Sequence, residues 1–425
     1  MALQNLQSLI GVGLIVGLCW LLSERRAAFP WRLTIGAIAA QGGLVFLLFG
    51  VPASRGVLAA AGSAVNALAA STQAGVKFVF GFLAGADGQP YAVTDPSALF
   101  LLGFRVLPVI LVICALSALL WHWRILRWLT QLFGLLFQKT MGLRGPPALA
   151  VAATVFMGQV EGPIFIRGYL PALSRSELFL LLSVGMACVS GSTVVAYATI
   201  LAGVLPNAAA HVLTASLISA PAGVLLARIL VPREPATEAE RDFDLANAKV
   251  YDSSIDALSK GTMDGLQIVL SVGATLIVFV ALIALLDAAL AALPNLAGAP
   301  ISVERGLGAL FAPLAWSLGI PWREAPAAGA LLGKKLVLTE FTAFLDLARL
   351  PASVISDRSR VIMTYALCGF ANIASVGINV AGYAVLVTDR RGEVMAMVWK
   401  AMLAGFLATC MTAAIVGALP ASLYR

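Results

Sequence analysis

The sequence predicts an all-α polytopic membrane protein with about eight transmembrane helices and two opposed re-entrant hairpins, arranged as an inverted repeat. Of the 425 residues, 60% are hydrophobic and only 12% are charged, whereas soluble domains carry about 25% charged residues. The apolar runs are long and continuous, which is typical of helices and not of the alternating strands of a β-barrel. Two parts of the chain also share one plan, in which a hairpin with a lone Glu precedes a span broken by small polar residues.

The clearest break is a polar stretch inside a long apolar region. It reads Gly158-Gln159-Val160-Glu161-Gly162-Pro163. A carboxylate at bilayer depth is costly, so Glu161 is interpreted as functional. Glycine and proline break a helix, and a broken helix at that depth is tolerated only inside protein or against a wet cavity. We therefore expect the tip of a re-entrant hairpin, the alternative being a charged residue in an ordinary loop.

The first third of the chain predicts three spans and an interfacial helix. The spans are expected at about residues 6–22, 33–51 and 99–123, and the Ala- and Gly-rich segment 57–83 is expected to lie along the membrane surface. Arg25, Arg26 and Arg32 follow the first span. Since positive residues concentrate in cytoplasmic loops, we assign this loop to the cytoplasm and the N-terminus to the outside.

The first half continues with a hairpin at about 146–173, a fourth span at about 176–205 and a fifth at about 209–230. The fourth span is interrupted at residues 188–193 by Ser, Gly and Thr. Such residues in mid-span indicate an unwound helix with free carbonyl groups, or alternatively close packing between continuous helices.

The second half repeats this order. We expect a polar cytosolic segment at 232–264, a sixth span at 265–293, a region punctuated by Pro and Gly at 294–326, a second hairpin with Glu340 at 327–350, a seventh span at 359–387 interrupted at 369–375, and an eighth span at 394–419. The C-terminus, with Arg425, is then outside.

The predicted parts are four: N-terminal scaffold and interfacial helices (1–145), first hairpin with its broken span (146–230), cytoplasmic loop (231–264), and a second half with hairpin and broken span (265–425). One hairpin starts from the basic, cytoplasmic side and the other from outside. An inverted repeat of this kind places a binding site near the midplane, at the interface of the repeats.

Other classes of protein fit poorly. The net charge of +7 is assigned to cytoplasmic loops, and no nucleic-acid partner is expected. The two histidines, His122 and His211, lack metal-ligand spacing, and the five cysteines show no paired spacing. An intramembrane hydrolase using Glu161 and Glu340 is disfavoured, because no metalloprotease motif or nucleophile elbow is present. We therefore expect neither an enzyme nor a cofactor.

Several separated motifs resemble the concentrative nucleoside transporter family. They are Gly158-Gln159-Val160-Glu161, Ser190-Gly191-Ser192, Glu340-Phe341 with Ala343-Phe344, and Cys368-Gly369-Phe370-Ala371-Asn372 with Ser375. The motifs occur in the family's order and the resemblance covers nearly the whole chain. It implies a homotrimer in the lipid of the bacterial inner membrane, which imports nucleosides together with sodium or protons by an elevator-type alternating access.

The resemblance also implies two groups of substrate-binding residues. The nucleobase side would be Gln159, Val160, Glu161 and Thr193, and the ribose side Glu340, Phe370, Asn372 and Ser375. A carboxylate accepts hydrogen bonds from ribose hydroxyls, and an Asn amide both donates and accepts. In a dry pocket such bonds discriminate strongly, because a ligand without the hydroxyl leaves them unpaired.

A coupling-cation site is implied at Thr154, Met157, Cys188 and Val189. Sodium-coupled members of the family tend to carry Asn in place of Thr154 and Ser in place of Cys188. Sodium prefers hard oxygen ligands, and a thiol is a poor substitute. We therefore favour protons over sodium, with Glu161 as the first candidate proton carrier and Glu340 as the second. The alternatives are sodium coupling, another sugar-bearing solute, or a passive channel or receptor on the same scaffold.

Overall fold

The computed structural model describes residues 2–85, 101–105, 107–143, 145–164, 166–234, 251–295 and 300–423, and all regular elements in these ranges are helical. In chain order they are α1 (Ala2–Leu21), α2 (Trp31–Val45), α3 (Pro52–Phe80), α4 (Leu102–Arg105), α5 (Leu107–His122), α6 (Ile125–Met141), α7 (Gly145–Met157), α8 (Glu161–Ile164), α9 (Arg175–Ala187), α10 (Gly191–Leu201), α11 (Ala208–Leu230), α12 (Ser254–Leu290), α13 (Val303–Ser317), α14 (Ala325–Val337), α15 (Glu340–Arg349), α16 (Asp357–Leu367), α17 (Ile373–Leu386) and α18 (Arg391–Ala418). The predicted all-α class is confirmed. The start of the predicted third span, at residues 99–100, and residues 235–250 of the predicted cytosolic segment lie outside the described residues.

Several single helices are long enough to span a membrane. Among the described residues, six helices are long and apolar enough to cross a membrane, and α5 with α6 makes a seventh if this pair, bent by 78°, counts as one span. The predicted fourth and seventh spans are absent from this set because each is broken into two shorter helices. The segment Gly62–Ala84, expected to be interfacial, is itself long enough to cross.

Four helix breaks occur inside apolar segments, and they separate α7 from α8, α9 from α10, α14 from α15, and α16 from α17. Gly158 begins the first break with a φ of +129°, a conformation that side chains beyond glycine rarely adopt. At two others a polar residue caps the next helix: Thr339 accepts from the N–H of Thr342, and Asn372 accepts from the N–H of Ser375. The interruptions expected from the sequence are therefore present.

One end of the molecule is rich in basic residues. Glu24, just after α1, pairs with Arg175 at 2.5 Å and with Lys400 at 3.2 Å. The Arg175 guanidinium lowers the pKa of the Glu24 carboxyl group. Arg390 donates to the carbonyl oxygens of Leu170 and Leu173, at 3.2 and 2.5 Å. The first hairpin thus ends among these basic residues.

The start of the first hairpin lies at the same basic end. Arg233, which follows α11, donates to the carbonyl oxygen of Gly142 at 3.3 Å, immediately before α7. The α11 terminus reaches this end because the N–H of Glu24 donates to the carbonyl oxygen of Leu230 at 3.0 Å.

The second hairpin starts and ends at the opposite end. Glu324, at the start of α14, accepts from the N–H and hydroxyl of Ser356, at the start of α16. Arg358 donates to the carbonyl oxygens of Gly319 and Gly417, which brings the last turn of α18 to the same place. The first turns of α1 are there too, since Ser8 donates to the carbonyl oxygen of Leu318 at 3.0 Å. The two hairpins therefore enter from opposite ends.

The two broken spans cross at their breaks. The N–H of Phe370 donates to the carbonyl oxygen of Cys188 at 3.3 Å, so each break satisfies a backbone group of the other. A Cβ atom at Gly369 would lie 2.7 Å from the carbonyl oxygen of Ala187 and 2.5 Å from Cγ2 of Thr409. The crossing therefore requires glycine at this position.

The region 294–326, to which the sequence assigned no helix, contains α13. Ser302 caps this helix by accepting from the N–H of Arg305, and Pro313 is accommodated inside it. The helix packs closely on α14, where a Cβ atom at Gly329 would lie 2.6 Å from the carbonyl oxygen of Gly308. Tertiary packing therefore outweighs the turn-forming tendency of Pro and Gly here. The helix α12 likewise begins at Ser254, eleven residues before the predicted start of the sixth span at 265.

Candidate functional site

A cavity lies where the four helix breaks meet. Its empty space amounts to about 840 Å³, which includes open space at the mouth. All eight residues predicted to bind substrate line it: Gln159, Val160, Glu161, Thr193, Glu340, Phe370, Asn372 and Ser375. Four apolar side chains form much of the remaining wall, namely Ile110, Ile268, Val272 and Ile378. The cavity is therefore amphipathic, with its polar groups supplied by the breaks.

The second hairpin contributes a carboxylate whose two oxygens both accept hydrogen bonds. Oε1 of Glu340 accepts from the hydroxyl of Tyr197 at 2.7 Å, and Oε2 accepts from Nδ2 of Asn372 at 2.7 Å. The other side-chain atom of Asn372, Oδ1, accepts from the N–H of Ser375 at 2.7 Å. Since Asn372 caps α17 with one atom and binds Glu340 with another, the helix start fixes the direction of the carboxylate.

Tyr197 was not predicted as a site residue. It is fully buried in α10, and its ring stacks on Phe344 with ring centres 4.4 Å apart. This stacking aims the hydroxyl at Glu340, so α10 of one half orients the carboxylate of the other half.

The first hairpin contributes Gln159, which is held by α17. Nε2 of Gln159 donates to the hydroxyl of Ser375 at 3.3 Å, and Oε1 accepts from Nδ2 of Asn379 at 2.9 Å. Nδ2 of Asn379 also donates to the carbonyl oxygen of Ser375 at 2.9 Å. Asn379 was also missed by the sequence analysis. It does not line the cavity but fixes the orientation of the Gln159 amide.

Glu161 lies at the boundary between two cavities. It is half-buried at the start of α8, and its carboxylate accepts from its own N–H and that of Val160. It also lines a second cavity, together with Tyr251, Lys260 and Asp264 of the segment that starts α12. Glu161 is therefore a carboxylate shared by the walls of the two cavities.

The four residues predicted to hold a cation are largely separate from this cavity. Thr154, Cys188 and Val189 are buried away from it, and only Met157 lines it. The carbonyl oxygen of Val189 accepts from Ser216 at 3.2 Å, and the hydroxyl of Thr154 donates to the carbonyl oxygen of Ala150 at 2.8 Å. Within the described ranges, no three His, Cys, Asp or Glu residues form a group that could hold a metal ion.

Comparison with known proteins agrees with this architecture. A family model described as the C-terminus of Na+ dependent nucleoside transporters matches residues 211–417, and the corresponding N-terminal model matches residues 10–83. A third model, described as "Gate: Nucleoside recognition", matches residues 103–204. These matches include both hairpins and both broken spans.

Proteins that are similar over nearly the whole chain support the same family. The chain is 34% identical over 415 residues to the uncharacterized transporter YutK of Bacillus subtilis, covering 97% of this chain and 98% of that one. It is 32% identical over 424 residues to the nucleoside permease NupC of Helicobacter pylori, covering 98% of each. The solved structure of CNTnw in an inward-facing substrate-bound state is 33% identical and superposes with a TM-score of 0.88 over 98% of each chain. On these findings the chain belongs to the concentrative nucleoside transporter family, which comprises transporters and not enzymes.

Proposed function

We propose that this protein imports nucleosides by symport with a cation. The observation that carries the proposal is the amphipathic cavity at the four breaks, which combines two carboxylates, two amides and several hydroxyls with apolar walls. A nucleoside has matching halves, since its ribose presents hydroxyl groups and its base presents a flat apolar face with polar edges.

The ribose is assigned to the second hairpin. Glu340, Asn372 and Ser375 are connected by hydrogen bonds into one polar group, with Phe370 beside them in the cavity wall. The base is assigned to the first hairpin, where Gln159 offers an amide and Val160 and Thr193 add apolar contact. In this placement Glu161 lies on the base side and is available for the coupling ion.

The test of the proposed function is uptake by purified protein in proteoliposomes. Labelled uridine should accumulate above its external concentration when an inward cation gradient is imposed, and collapse of the gradient should release it. Equilibration without accumulation would indicate a passive channel, and binding without uptake a receptor. Competition by a panel of nucleosides, free bases and sugars separates nucleosides from other sugar-bearing solutes.

Protons are the proposed coupling ion. Of the two side chains, Thr154 offers one hydroxyl oxygen and Cys188 offers a thiol, which is a poor ligand for sodium. Glu161 lines both the cavity and the adjoining space. Uptake is therefore expected to rise as external pH falls and to change little when choline replaces sodium. The measurement is the initial rate of uridine uptake, with sodium and pH varied independently.

A paired substitution sharpens this prediction. Thr154→Asn combined with Cys188→Ser should introduce some sodium dependence into a protein that shows none. Wild-type uptake that vanishes without sodium and ignores a collapsed proton gradient would contradict proton coupling and favour a sodium site formed by Thr154 and main-chain carbonyls.

The proposed location is the bacterial inner membrane, with the basic end in the cytoplasm and both termini outside. Support comes from the concentration of Arg and Lys at the end that holds Glu24, Arg175 and Lys400. Arg391→Cys should therefore resist an impermeant thiol reagent added to intact cells. Arg323→Cys, at the opposite end with an 83% exposed side chain, should react. The reverse labelling pattern would indicate the opposite topology. The wild-type protein measures the background labelling, because its described cysteines are buried or half-buried.

We further propose a homotrimer in membrane lipid whose hairpins and broken spans move as an elevator against the remaining helices. The apolar outer residues of α12, among them Leu270 and Ile277, are exposed in the single chain and suit lipid or a neighbouring subunit. Native mass spectrometry from lipid nanodiscs measures the number of subunits.

A further inference from the structure

A series of hydrogen bonds behind the cavity fixes which way round the Gln159 amide lies. The series starts at the main-chain carbonyl group of Ser375, which can only accept. Nδ2 of Asn379 donates to this carbonyl oxygen at 2.9 Å and to Oε1 of Gln159, also at 2.9 Å. Nε2 of Gln159 then donates to the hydroxyl of Ser375 at 3.3 Å. A backbone group that cannot reverse therefore dictates the polarity of a side chain in the cavity wall.

Reversal of either amide alone is unfavourable. A reversed Asn379 would place Oδ1 against the carbonyl oxygen of Ser375, and a reversed Gln159 would place Nε2 against Nδ2 of Asn379. Asn379 is fully buried, and its Oδ1 has no hydrogen-bond partner among the residues that the structure describes. The contacts of this amide with Gln159 and Ser375 are thus made by its nitrogen atom.

The rest of the hairpin tip is closely packed between α9 and α17. A Cβ atom at Gly185 of α9 would lie 3.1 Å from Cβ of Gln159, and one at Gly382 of α17 would lie 2.6 Å from Cγ1 of Val160. Because this packing fixes the stem of Gln159, the remaining freedom of the side chain is rotation of its amide group. Asn379 opposes that rotation.

The two amide atoms of Gln159 therefore lie in a fixed order along α17. Nε2 lies beside Ser375, near the Glu340 end of the helix, and Oε1 lies beside Asn379, one turn further on. An amide group has two donor hydrogens, and its oxygen accepts two bonds. After the bonds to α17, one donor and one acceptor remain on this side chain, which lines the cavity. Going away from the proposed ribose site, the wall offers a donor first and an acceptor second.

We propose that Asn379 sets the base selectivity of the site, because it makes the Gln159 amide take bases that present an acceptor and then a donor, going away from the ribose. The inference rests on the proposed nucleoside import and specifies the edge of the base that is read. Uridine presents this order as O2 followed by N3–H, and cytidine presents it as N3 followed by the exocyclic amine. The reverse order is available in uridine, as N3–H followed by O4, and not in cytidine. Asn379 is a positioning residue, since it acts through Gln159 and does not line the cavity.

The first test compares 2-thiouridine with 4-thiouridine, two isomers of equal size in which one carbonyl oxygen is replaced by sulfur, a weaker acceptor. In the wild type, 2-thiouridine should bind up to about tenfold more weakly than uridine, because O2 accepts from Nε2 of Gln159. The affinity of 4-thiouridine should equal that of uridine. Calorimetric titration of the purified protein in lipid nanodiscs measures all three affinities without requiring uptake.

Asn379→Asp is expected to reverse this preference. An aspartate side chain offers oxygen atoms where Asn379 offers Nδ2, so Gln159 should turn Nε2 toward it and accept a hydrogen bond from the hydroxyl of Ser375. The variant should then bind 4-thiouridine up to about tenfold more weakly than 2-thiouridine. It should also bind cytidine weakly, because cytidine has no donor followed by an acceptor, while its affinity for uridine stays close to that of the wild type.

Tyr383→Phe is the matched control. Tyr383 lies one turn after Asn379 on the same helix and is fully buried, and its hydroxyl has no hydrogen-bond partner among the described residues. This substitution should leave the ratio of the two thiouridine affinities as in the wild type. Asn379→Leu removes the donor without adding an acceptor, so it should bring the ratio close to one.

A wild type that binds the two isomers equally, or that prefers 2-thiouridine, would overturn the proposal. A folded Asn379→Asp protein with the wild-type ratio would do the same. If Asn379→Asp does not fold, Asn379→Leu decides, because an unchanged ratio in that variant would show that Asn379 does not orient Gln159. Failure of the wild type to bind any nucleoside would instead refute the proposed function itself.

Discussion

Glu340→Gln is expected to weaken nucleoside binding by one to two decades while the fold stays intact. Both carboxylate oxygens accept hydrogen bonds, one from Tyr197 and one from Asn372. A Gln amide replaces one acceptor with an NH₂ donor, which would face the donor of one of these partners. Hydrogen bonds to charged groups contribute roughly 1.5–3 kcal/mol, and about 1.4 kcal/mol corresponds to a tenfold change in affinity. Calorimetric titration with uridine measures the loss.

The control for this variant lies on the same helix. Asp346→Asn removes a carboxylate of α15 that pairs with Lys334, has a 31% exposed side chain and does not line the cavity. It should change stability by no more than about 1 kcal/mol and leave uridine affinity unchanged. The Glu340→Gln variant should also lose most of the wild-type preference for uridine over its deoxy analogues. Wild-type affinity in a folded Glu340→Gln protein would remove Glu340 from the ribose site.

Gly369→Ala is expected to lower stability by about 1–3 kcal/mol and to reduce uptake severely. The added Cβ would lie 2.7 Å from the backbone oxygen of Ala187, so the two broken spans must separate at their crossing. Separation weakens the Phe370 to Cys188 hydrogen bond and displaces Asn372, two residues further on. Thermal denaturation and initial uptake rate are the measurements.

Gly377→Ala is the matched control for this substitution. Gly377 lies in the second helix of the same broken span, and a Cβ atom there meets nothing within 4 Å. Because alanine favours the helix more than glycine does, this variant should be as stable as the wild type or more stable by up to about 1 kcal/mol. Equal losses in the two variants would show that the crossing is not the sensitive feature.

The helix breaks could be predicted because their causes are local. Gly158, at the start of the first break, adopts a backbone angle that favours glycine. The carboxylates beside the breaks stand out because charged residues are rare in apolar sequence. The other residues assigned to the cavity were implied by the resemblance to the family, and all eight line it.

Tyr197 and Asn379 could not be assigned because their roles depend on how two helices are rotated against their neighbours. A Tyr inside a span is compatible with an interfacial position, and only the stacking on Phe344 turns its hydroxyl toward Glu340. Asn379 did offer a signal. It lies four residues after Ser375, and residues at this spacing share one helix face. The helix α13 was missed for another reason. Its Pro and Gly residues are typical of a loop, and the packing against α14 that stabilises the helix is not visible in the sequence.

The helix α12 is much longer than the hydrocarbon core of a bilayer, and it also forms part of the cavity wall. Its 37 residues extend about 55 Å, whereas the hydrocarbon core measures about 30 Å. The polar first part, Ser254 to Asp264, can project into water, but the remaining apolar part is still about 39 Å long. A helix with this hydrophobic mismatch must tilt or thicken the surrounding lipid. Since Ile268 of α12 lines both cavities, we expect the acyl-chain length of the lipid to change the angle of one wall of the candidate site.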